Sequence, residues 1–378
     1  MIKIFHLITS VQLGGAEVVA YNIIEECTRL YPEKYDFTIV ELFSSRNIFA
    51  ANKKKELKEK NIKIISLSKL SKRKSLIFSP FKLYALVKKE KPKVIHAHTD
   101  LPDFVLSVAL RILGKHKSKS LNVVRSIHNT ELWPTYKGIG KLVEKVYTND
   151  YVIGVSDAAL LAYKKSRGEL GLGESPHQNT IYNGCAVPKN SALGLNLSSD
   201  KINIAICGRL EQQKGIDFLI SFFKKNNINL KNTFCFYFIG DGTYKSQVEQ
   251  LANLESNIKL YPPIIGIANK IHAFDYVLMP SRFEGLVLMS IEASLAKIPV
   301  IASKVDGLKD TLPNDWPLFF TSEDENSLLE LLYDIKGKRI EREELKEKAF
   351  SFASAKFSVT QMALAYADVY DSFHSRIL

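Results

Sequence analysis

Residues 202–217 read INIAICGRLEQQKGID and contain one complete strand, loop and helix start. The first six residues are an apolar, β-branched run, which is typical of a buried strand. A polar loop with Gly208 follows, and apolar residues return at helical spacing after Gly215. A chain made of such units predicts a parallel sheet, with the loops that follow the strands gathered at its carboxyl edge.

The same unit repeats along almost the whole chain of 378 residues, which exceeds the length at which one core usually keeps growing. We therefore predict two α/β domains, each with a Rossmann-like parallel sheet, over residues 1–185 and 200–357. A Gly-, Ser- and Asn-rich stretch separates them, and a closing helix over 358–378 is expected to pack on the first domain. The predicted strands are Ile2–Ile8, Phe37–Leu42, Lys63–Leu67, Val94–His96, Asn122–Ile127, Tyr151–Val155 and Asn179–Tyr182, then Ile202–Cys207, Thr233–Gly240, Asn257–Leu260, Tyr276–Met279 and Val300–Ala302.

Two basic residues, Arg209 and Lys214, lie on the loop after the strand Ile202–Cys207. Both would be exposed cations if the loop had no ligand. The loop lies, however, at the end of the sheet where α/β proteins bind ligands, so the two charges could converge on a diphosphate. We favour this second interpretation.

Two acids eight residues apart, Glu284 and Glu292, occur in the segment MPSRFEGLVLMSIEA, residues 279–293. Glu284 falls in a turn after a strand, and Glu292 is expected about two turns into the next helix. Carboxylates accept hydrogen bonds from vicinal hydroxyls of a ribose or a hexose, and the intervening amides of Gly285, Leu286 and Val287 could meet phosphates. Glu292 could instead be a surface acid, although its neighbours are apolar.

The first half carries weaker signals. Gly14 and Gly15 open a helix after the first strand, where close backbone approach and the helix terminus suit an anion, but the dinucleotide pattern GxGxxG is absent. His96, His98 and His128 are expected at strand ends. An HxH pair without a nearby acid or Cys is at most half a metal site, so no metal is predicted, and His128 is better suited to bind a sugar hydroxyl.

The charge is uneven along the chain. Residues 1–190 hold 31 Lys and Arg against 17 Asp and Glu, a net charge of +14, whereas the whole chain carries +12. Such a field attracts an anionic bilayer or a polyanion, and because no nucleic-acid motif is present we expect no nucleic acid partner. The four cysteines lack metal-ligand spacing and are expected to be reduced, as in a cytoplasmic protein.

Taken together, these residues resemble the retaining glycosyltransferases of family 4, which have the GT-B architecture of two Rossmann-like domains facing an interdomain cleft. The resemblance rests on Gly14-Gly15-Ala16-Glu17, His128, the loop from Gly208-Arg209 to Lys214-Gly215 and the Glu284 to Glu292 spacing. It spans nearly the whole chain, and the spacing of the two acids is its most specific part.

The resemblance implies a role for each matched residue. Arg209 and Lys214 would neutralise the donor diphosphate, with Gly208 beside them, while Glu284 and His128 would contact the donor sugar. Glu292 would hold the ribose. The base would lie against Leu260, Pro262 and Ile264. The phosphate and sugar would meet the amides of Gly285, Leu286 and Val287. The family needs no metal and no cofactor. Its donor is a nucleotide diphosphate sugar, for which we favour UDP over GDP, although Pro262-Pro263 leaves this choice open.

The predicted function is transfer of a hexose-type sugar, with retention, to a glycan or lipid-linked glycan of a bacterial cell-surface polysaccharide such as O-antigen or capsule. The enzyme is expected in the cytoplasm, peripherally at the inner membrane face. A nucleotide-sugar 2-epimerase of the same architecture and a non-catalytic glycosyltransferase-like partner remain alternatives. A dehydrogenase ranks below both, since the glycine fingerprint is missing.

Overall fold

The computed structural model describes residues 1–12, 14–45, 47–70, 72–114, 121–133 and 137–373, and it forms two compact units. Unit 1 comprises Met1–Gly184 with Val359–Leu378, and unit 2 comprises Cys185–Ser358. Residues 374–378 of the predicted closing helix lie outside the described residues. No helix in the described ranges is both long enough and apolar enough to cross a bilayer.

Unit 1 is built on a parallel sheet with helices between successive strands. Its strands are β1 (Ile2–Ile8), β2 (Tyr35–Glu41), β3 (Lys63–Ser66), β4 (Val94–His98), β5 (Asn122–Ile127), β6 (Tyr151–Gly154) and β7 (His177–Thr180). Its first helices are α1 (Gly15–Leu30), α2 (Ile48–Glu59), α3 (Lys72–Glu90), α4 (Asp100–Leu113), α5 (Lys137–Glu144) and α6 (Asp157–Glu169). The strand order is β3-β2-β1-β4-β5-β6-β7, so the winding direction reverses between β1 and β4.

Unit 2 repeats this plan. Its strands are β8 (Ile202–Cys207), β9 (Phe234–Ile239), β10 (Ile258–Tyr261), β11 (Tyr276–Met279), β12 (Val300–Ser303) and β13 (Phe319–Phe320), and its helices are α7 (Ile216–Leu230), α8 (Lys245–Leu254), α9 (Leu288–Leu295), α10 (Glu325–Lys336) and α11 (Arg342–Lys356). The parallel order β10-β9-β8-β11-β12-β13 places the reversal between β8 and β11. In doubly wound sheets, ligands bind at the carboxyl ends of the strands at this reversal.

The last described helix, α12 (Val359–Ser372), belongs to unit 1 and packs against α1. Tyr366 and Tyr370 are fully buried on its inner face. An ion pair of 2.5 Å joins Lys34 to Asp371, and the Tyr35 hydroxyl donates to Asp371 at 2.9 Å. These contacts fix the helix on unit 1 beside the start of β2.

The predicted strands agree closely with the structure, and the differences have simple causes. β13 was not predicted, because it has only two residues and the apolar run at 318–320 is too short to indicate a strand. β7 was predicted at Asn179–Tyr182 but occupies His177–Thr180, because its side chains are polar and only partly buried. Glu292 is the fifth residue of α9, about one turn in rather than two, because the loop after Glu284 delays the helix until Leu288.

Candidate functional site

The loops after β8 and β11 enclose the candidate site of unit 2. They border a depression of about 390 Å³, open to solvent, at the reversal of strand order. Its lining includes Gly208, Arg209, Lys214 and Val287 of the predicted site, together with Cys207 at the end of β8. The depression therefore lies where the strand pattern predicts a ligand.

Lys214 and Glu284 come from different loops and form an ion pair whose Nζ and Oε1 atoms are 2.5 Å apart. Lys214 ends a short 3₁₀ turn, Gln212–Lys214, ahead of α7. Glu284 precedes α9, and its carboxylate is almost completely buried. The pair thus holds one predicted cation and one predicted acid together, 70 residues apart in sequence.

Arg209 lies at the exposed rim of the depression. Its guanidinium donates to Gln213 Oε1 at 3.0 Å, and Gln213 in turn donates to the carbonyl of Phe283 at 3.2 Å. Among the described residues, Arg209 has no acid within ion-pair distance. Its positive charge is therefore oriented by a neutral partner and stays available to an anion.

Two glycines allow the site loops to approach each other. Gly215 has φ +67°, and a β-carbon there would lie 2.0 Å from the carbonyl oxygen of Pro280. Gly307 has φ +80°, and a β-carbon there would lie 2.3 Å from the carbonyl oxygen of Glu284. Gly215 belongs to the loop predicted from the sequence, whereas no local pattern indicated a role for Gly307, which lies on the loop after β12.

Glu292 lies on α9 and is half-buried, with no hydrogen-bond or ion-pair partner for its carboxyl group among the described residues. Desolvation raises the pKa of this carboxyl group to about 7. Its negative charge adds to the burial that raises the pKa of the thiols of Cys207 and Cys185, so Glu292 lies near the carboxyl end of β8. A half-buried carboxylate without a partner is partly desolvated, and a hydrogen-bond donor that reaches it would offset this cost.

The remaining predicted site residues of unit 2 lie in two separate places, before α9 and around the end of β10. Gly285 and Leu286 lie in the loop between Glu284 and α9, and Val287 is the N-cap residue of that helix. Leu260, Pro262 and Ile264 lie in or after the edge strand β10 and do not line the depression. Leu260 and Ile264 pack on the core of unit 2, and Pro262 is exposed.

In unit 1, Gly14 and Gly15 start α1. Gly14 is the N-cap residue, and its carbonyl oxygen accepts the amide of Val18 at 3.0 Å. A β-carbon at Gly14 would lie 2.0 Å from a carboxylate oxygen of Glu17, whereas one at Gly15 would meet nothing within 4 Å. A side chain at Gly14 would require only the end of the Glu17 side chain to shift, and Gly15 leaves the backbone open on that side.

His128 follows β5 and is hydrogen-bonded into a buried row of histidines. Its Nε2 lies 3.3 Å from His98 Nδ1, and His98 Nε2 lies 3.1 Å from His6 Nδ1. His6 faces His96 across the β1–β4 pairing, so the neighbouring strands bring the rings together. His6 was not among the residues predicted from the sequence, because its place beside His96 depends on which strands are neighbours.

The row continues to α12. The Tyr370 hydroxyl lies 3.2 Å from His6 Nε2 and 2.8 Å from His96 Nδ1, while His96 Nε2 contacts the Ser126 hydroxyl at 2.7 Å. Burial lowers the pKa of His6 and His128 to about 3, and the rings are therefore neutral at physiological pH.

Neutral imidazoles are good metal ligands, and His6, His96 and His98 offer nitrogens within 4.8 Å of one another. Both ring nitrogens of each of the three are already hydrogen-bonded inside the row. A metal would have to displace these bonds, so the absence of a metal from the site remains our prediction.

A second, smaller depression of about 230 Å³ lies beside His128. Thr99, Asp100 and Asn129 contribute to its lining. Thr99 has φ +77°, an unfavourable conformation for a β-branched residue, at the junction of β4 and α4. Burial raises the pKa of Asp100 to about 6.

Family comparisons cover both units. Residues 13–168 match the model described as Glycosyltransferase Family 4, and residues 201–335 match the model described as Glycosyl transferases group 1. Both halves of the chain are glycosyltransferase domains. The lysine–glutamate pair lies within the second match, and the histidine that follows β5 lies within the first.

Two of the relatives are glycosyltransferases from Escherichia coli. The chain is 24% identical over its whole length to the whole of the O-antigen biosynthesis glycosyltransferase WclY. It is 25% identical over 276 residues, 67% of each chain, to UDP-Gal:alpha-D-GlcNAc-diphosphoundecaprenol alpha-1,3-galactosyltransferase.

Among solved structures, HepE of Anabaena in complex with UDP and glucose superposes with a TM-score of 0.76 at 18% identity, covering 98% of this chain and 100% of HepE. The glycosyltransferase described here therefore has the GT-B fold, with two Rossmann-like domains.

Proposed function

We propose that the protein is a retaining, metal-independent hexosyltransferase that uses a nucleotide diphosphate sugar, with UDP favoured as the nucleotide. Its acceptor is a growing glycan, carried on a lipid, of an O-antigen or capsule type polysaccharide. The single observation that carries the proposal is the pairing of Lys214 with Glu284 at the strand-order reversal of unit 2, with Arg209 on the rim.

Lys214 and Arg209 account for the diphosphate. Negative charge grows on the leaving phosphate as the glycosidic bond breaks, and fixed positive charge stabilises it most when water is excluded. Lys214 is half-buried and already positioned by Glu284, so little reorganisation is needed. The two cations supply positive charge that a divalent metal supplies in other phosphate sites.

Glu284 and Glu292 account for the two ends of the donor. Glu284 would accept hydrogen bonds from hydroxyl groups of the sugar while it positions Lys214. Glu292 would accept hydrogen bonds from the ribose hydroxyls, which would give its carboxylate the partners that it lacks. The backbone from Gly285 to Val287, at the start of α9, would meet phosphate and sugar oxygens between them.

The acceptor would attack from the face that the nucleotide leaves, with the departing phosphate assisting removal of the acceptor proton. No side-chain nucleophile is assigned, in keeping with the proposed retention. Two similarities support the choice of substrates, namely the UDP complex of HepE and the galactosyltransferase that acts on a diphosphoundecaprenol acceptor. The net charge of +14 over residues 1–190 supports action at the inner membrane face.

Proton NMR of the transfer product, made with UDP-hexoses and lipid-linked glycans in excess EDTA, tests this proposal. We expect the product to keep the anomeric configuration of the donor. The rate of transfer should be the same with and without EDTA. An inverted anomer would contradict retention, and loss of activity restored by a divalent metal would contradict metal independence. A sugar isomerised without acceptor would instead indicate an epimerase.

A further inference from the structure

Helix α3 (Lys72–Glu90) turns small polar side chains inward in its first half. Ser75 and Ser79 are fully buried, and their hydroxyls donate to the carbonyls of Leu70 and Leu42, each at 3.1 Å. Leu83 continues this inner face. The buried face is therefore anchored by hydrogen bonds where most surface helices place large apolar residues.

The opposite face of α3 carries the large apolar side chains. Ile77, Phe78 and Phe81 are 62%, 48% and 58% exposed, and their spacing of one and four residues puts them on one side of the helix. Leu70, just before the helix, is also exposed. Single exposed apolar residues are ordinary, but three on one helical face mark an interaction surface.

The same segment carries a large net positive charge. Residues 69–93 contain nine Lys and Arg and one acid, a net charge of +8. Arg73, Lys74 and Lys82 are exposed and have no acidic partner among the described residues. By contrast, Lys53 and Lys54 of α2 are paired with glutamates at 2.5–3.0 Å. Lys53 and Lys54 are therefore neutralised locally, whereas Arg73, Lys74 and Lys82 are not.

We propose that the α3 surface, defined as Arg73, Lys74, Ile77, Phe78, Phe81 and Lys82, binds the surface of an anionic bilayer. The helix would lie in the plane of the interface. Its apolar side chains would enter the boundary between headgroups and acyl chains while its cations contact lipid phosphates.

Both components of the surface favour a bilayer over other anionic partners. Basic residues are attracted to an anionic membrane surface, and Ile or Phe adds apolar burial that needs no shape-matched pocket. A nucleic acid would engage the cations but offers no acyl phase for Ile77. The proposal rests on the proposed function only for its purpose, since a lipid-linked acceptor would bring the enzyme to this surface.

Flotation of the full chain with vesicles tests the surface independently of catalysis. We expect binding to phosphatidylcholine vesicles with about 30% phosphatidylglycerol, and little binding to pure phosphatidylcholine. The variant Arg73→Gln/Lys74→Gln/Lys82→Gln should bind the anionic vesicles about 100-fold more weakly. The variant Phe78→Ser/Phe81→Ser should also bind more weakly while keeping the salt dependence of the native protein.

Matched controls remove the same groups elsewhere. The variant Lys224→Gln/Lys231→Gln/Lys259→Gln removes three exposed lysines from unit 2, and Ile228→Ser/Leu254→Ser removes two exposed apolar residues there. Both should bind vesicles like the native protein, and circular dichroism should show that all variants fold.

Binding that is equal in the α3 variants and the controls would overturn the proposal. The proposal would also be overturned if the native protein did not bind vesicles but formed a dimer in analytical ultracentrifugation, and if Phe78→Ser/Phe81→Ser dissociated that dimer. Because binding is measured without donor or acceptor, an inactive protein that binds through α3 would contradict the proposed function alone.

Discussion

Lys214 forms an ion pair with Glu284, which fixes the position of a positively charged side chain relative to a buried carboxylate. This arrangement means that removing Lys214 also leaves Glu284 with an unpaired charge. The residue is therefore expected to affect catalysis more than a surface lysine of the same unit.

Lys214→Ala should lower kcat/KM about 30- to 1000-fold, equivalent to roughly 2 to 4 kcal/mol of transition-state stabilisation. Steady-state kinetics with a UDP-sugar measures the effect. Lys225→Ala, which breaks an exposed pair with Glu325, serves as the control and should leave kcat/KM unchanged. Equal kinetics for the two variants would refute the role of Lys214.

Replacing Glu292 should have opposite effects on the stability of the fold and on nucleotide binding. Because its pKa is raised to about 7, Glu292 stays protonated in the folded protein at pH values between the usual pKa of a glutamate and 7, where the unfolded chain has lost this proton. Wild-type stability should therefore decrease as the pH rises towards 7 and remain reduced above it.

Glu292→Gln removes this cost. Its unfolding temperature should exceed that of the wild type at pH 8 and approach it at acidic pH, while its affinity for UDP should fall. Differential scanning fluorimetry with and without UDP measures both quantities. A variant that is destabilised at pH 8 and binds UDP normally would contradict the assignment of Glu292 to the nucleotide.

At the level of elements, the loops after β8, β11 and β12 depend on close backbone packing. Gly307→Ala should lower stability by more than about 2 kcal/mol and lower kcat/KM, because the new β-carbon would collide with the backbone of Glu284. Gly171→Ala is a matched control, since Gly171 has a similar φ of +67° but open space around it. Urea unfolding and kinetics compare the two, and equal losses would mean that backbone strain alone explains the effect.

The centre of β5 contains a buried charge cluster that the sequence did not reveal. Arg125 forms ion pairs with Asp103, Glu144 and Asp150 at 2.6–3.2 Å. Its apolar strand context gave no indication of these acids, which come from separate segments. Buried charges of this kind destabilise the fold strongly when one partner is removed.

Arg125→Met should therefore destabilise unit 1 by about 3 to 5 kcal/mol, because three acids lose their common partner. Arg29→Met, which breaks an exposed pair with Glu26, should change stability by less than about 1 kcal/mol. Urea denaturation measures both. An Arg125 variant as stable as the Arg29 variant would show that the cluster is not needed to hold β5.

For the whole molecule, the sequence allowed prediction of those features that depend on local residue patterns, such as the bounds of strands. β1, β5, β8 and β11 were predicted with the bounds they have, because their apolar runs end at loops with Gly, Asn, Ser or Pro. The histidine row could not be predicted, since it depends on which strands are neighbours. The Lys214–Glu284 contact likewise requires the order of β8 and β11, although each residue was selected separately.

The central claim, that the reversal point of unit 2 binds the nucleotide of a sugar donor, is tested most directly by calorimetric titration of the full chain with UDP. We predict one site per chain, with affinity that falls at least about tenfold in both Lys214→Ala and Glu292→Gln. UDP binding that is unchanged in both variants, or no binding of any nucleoside diphosphate, would contradict it.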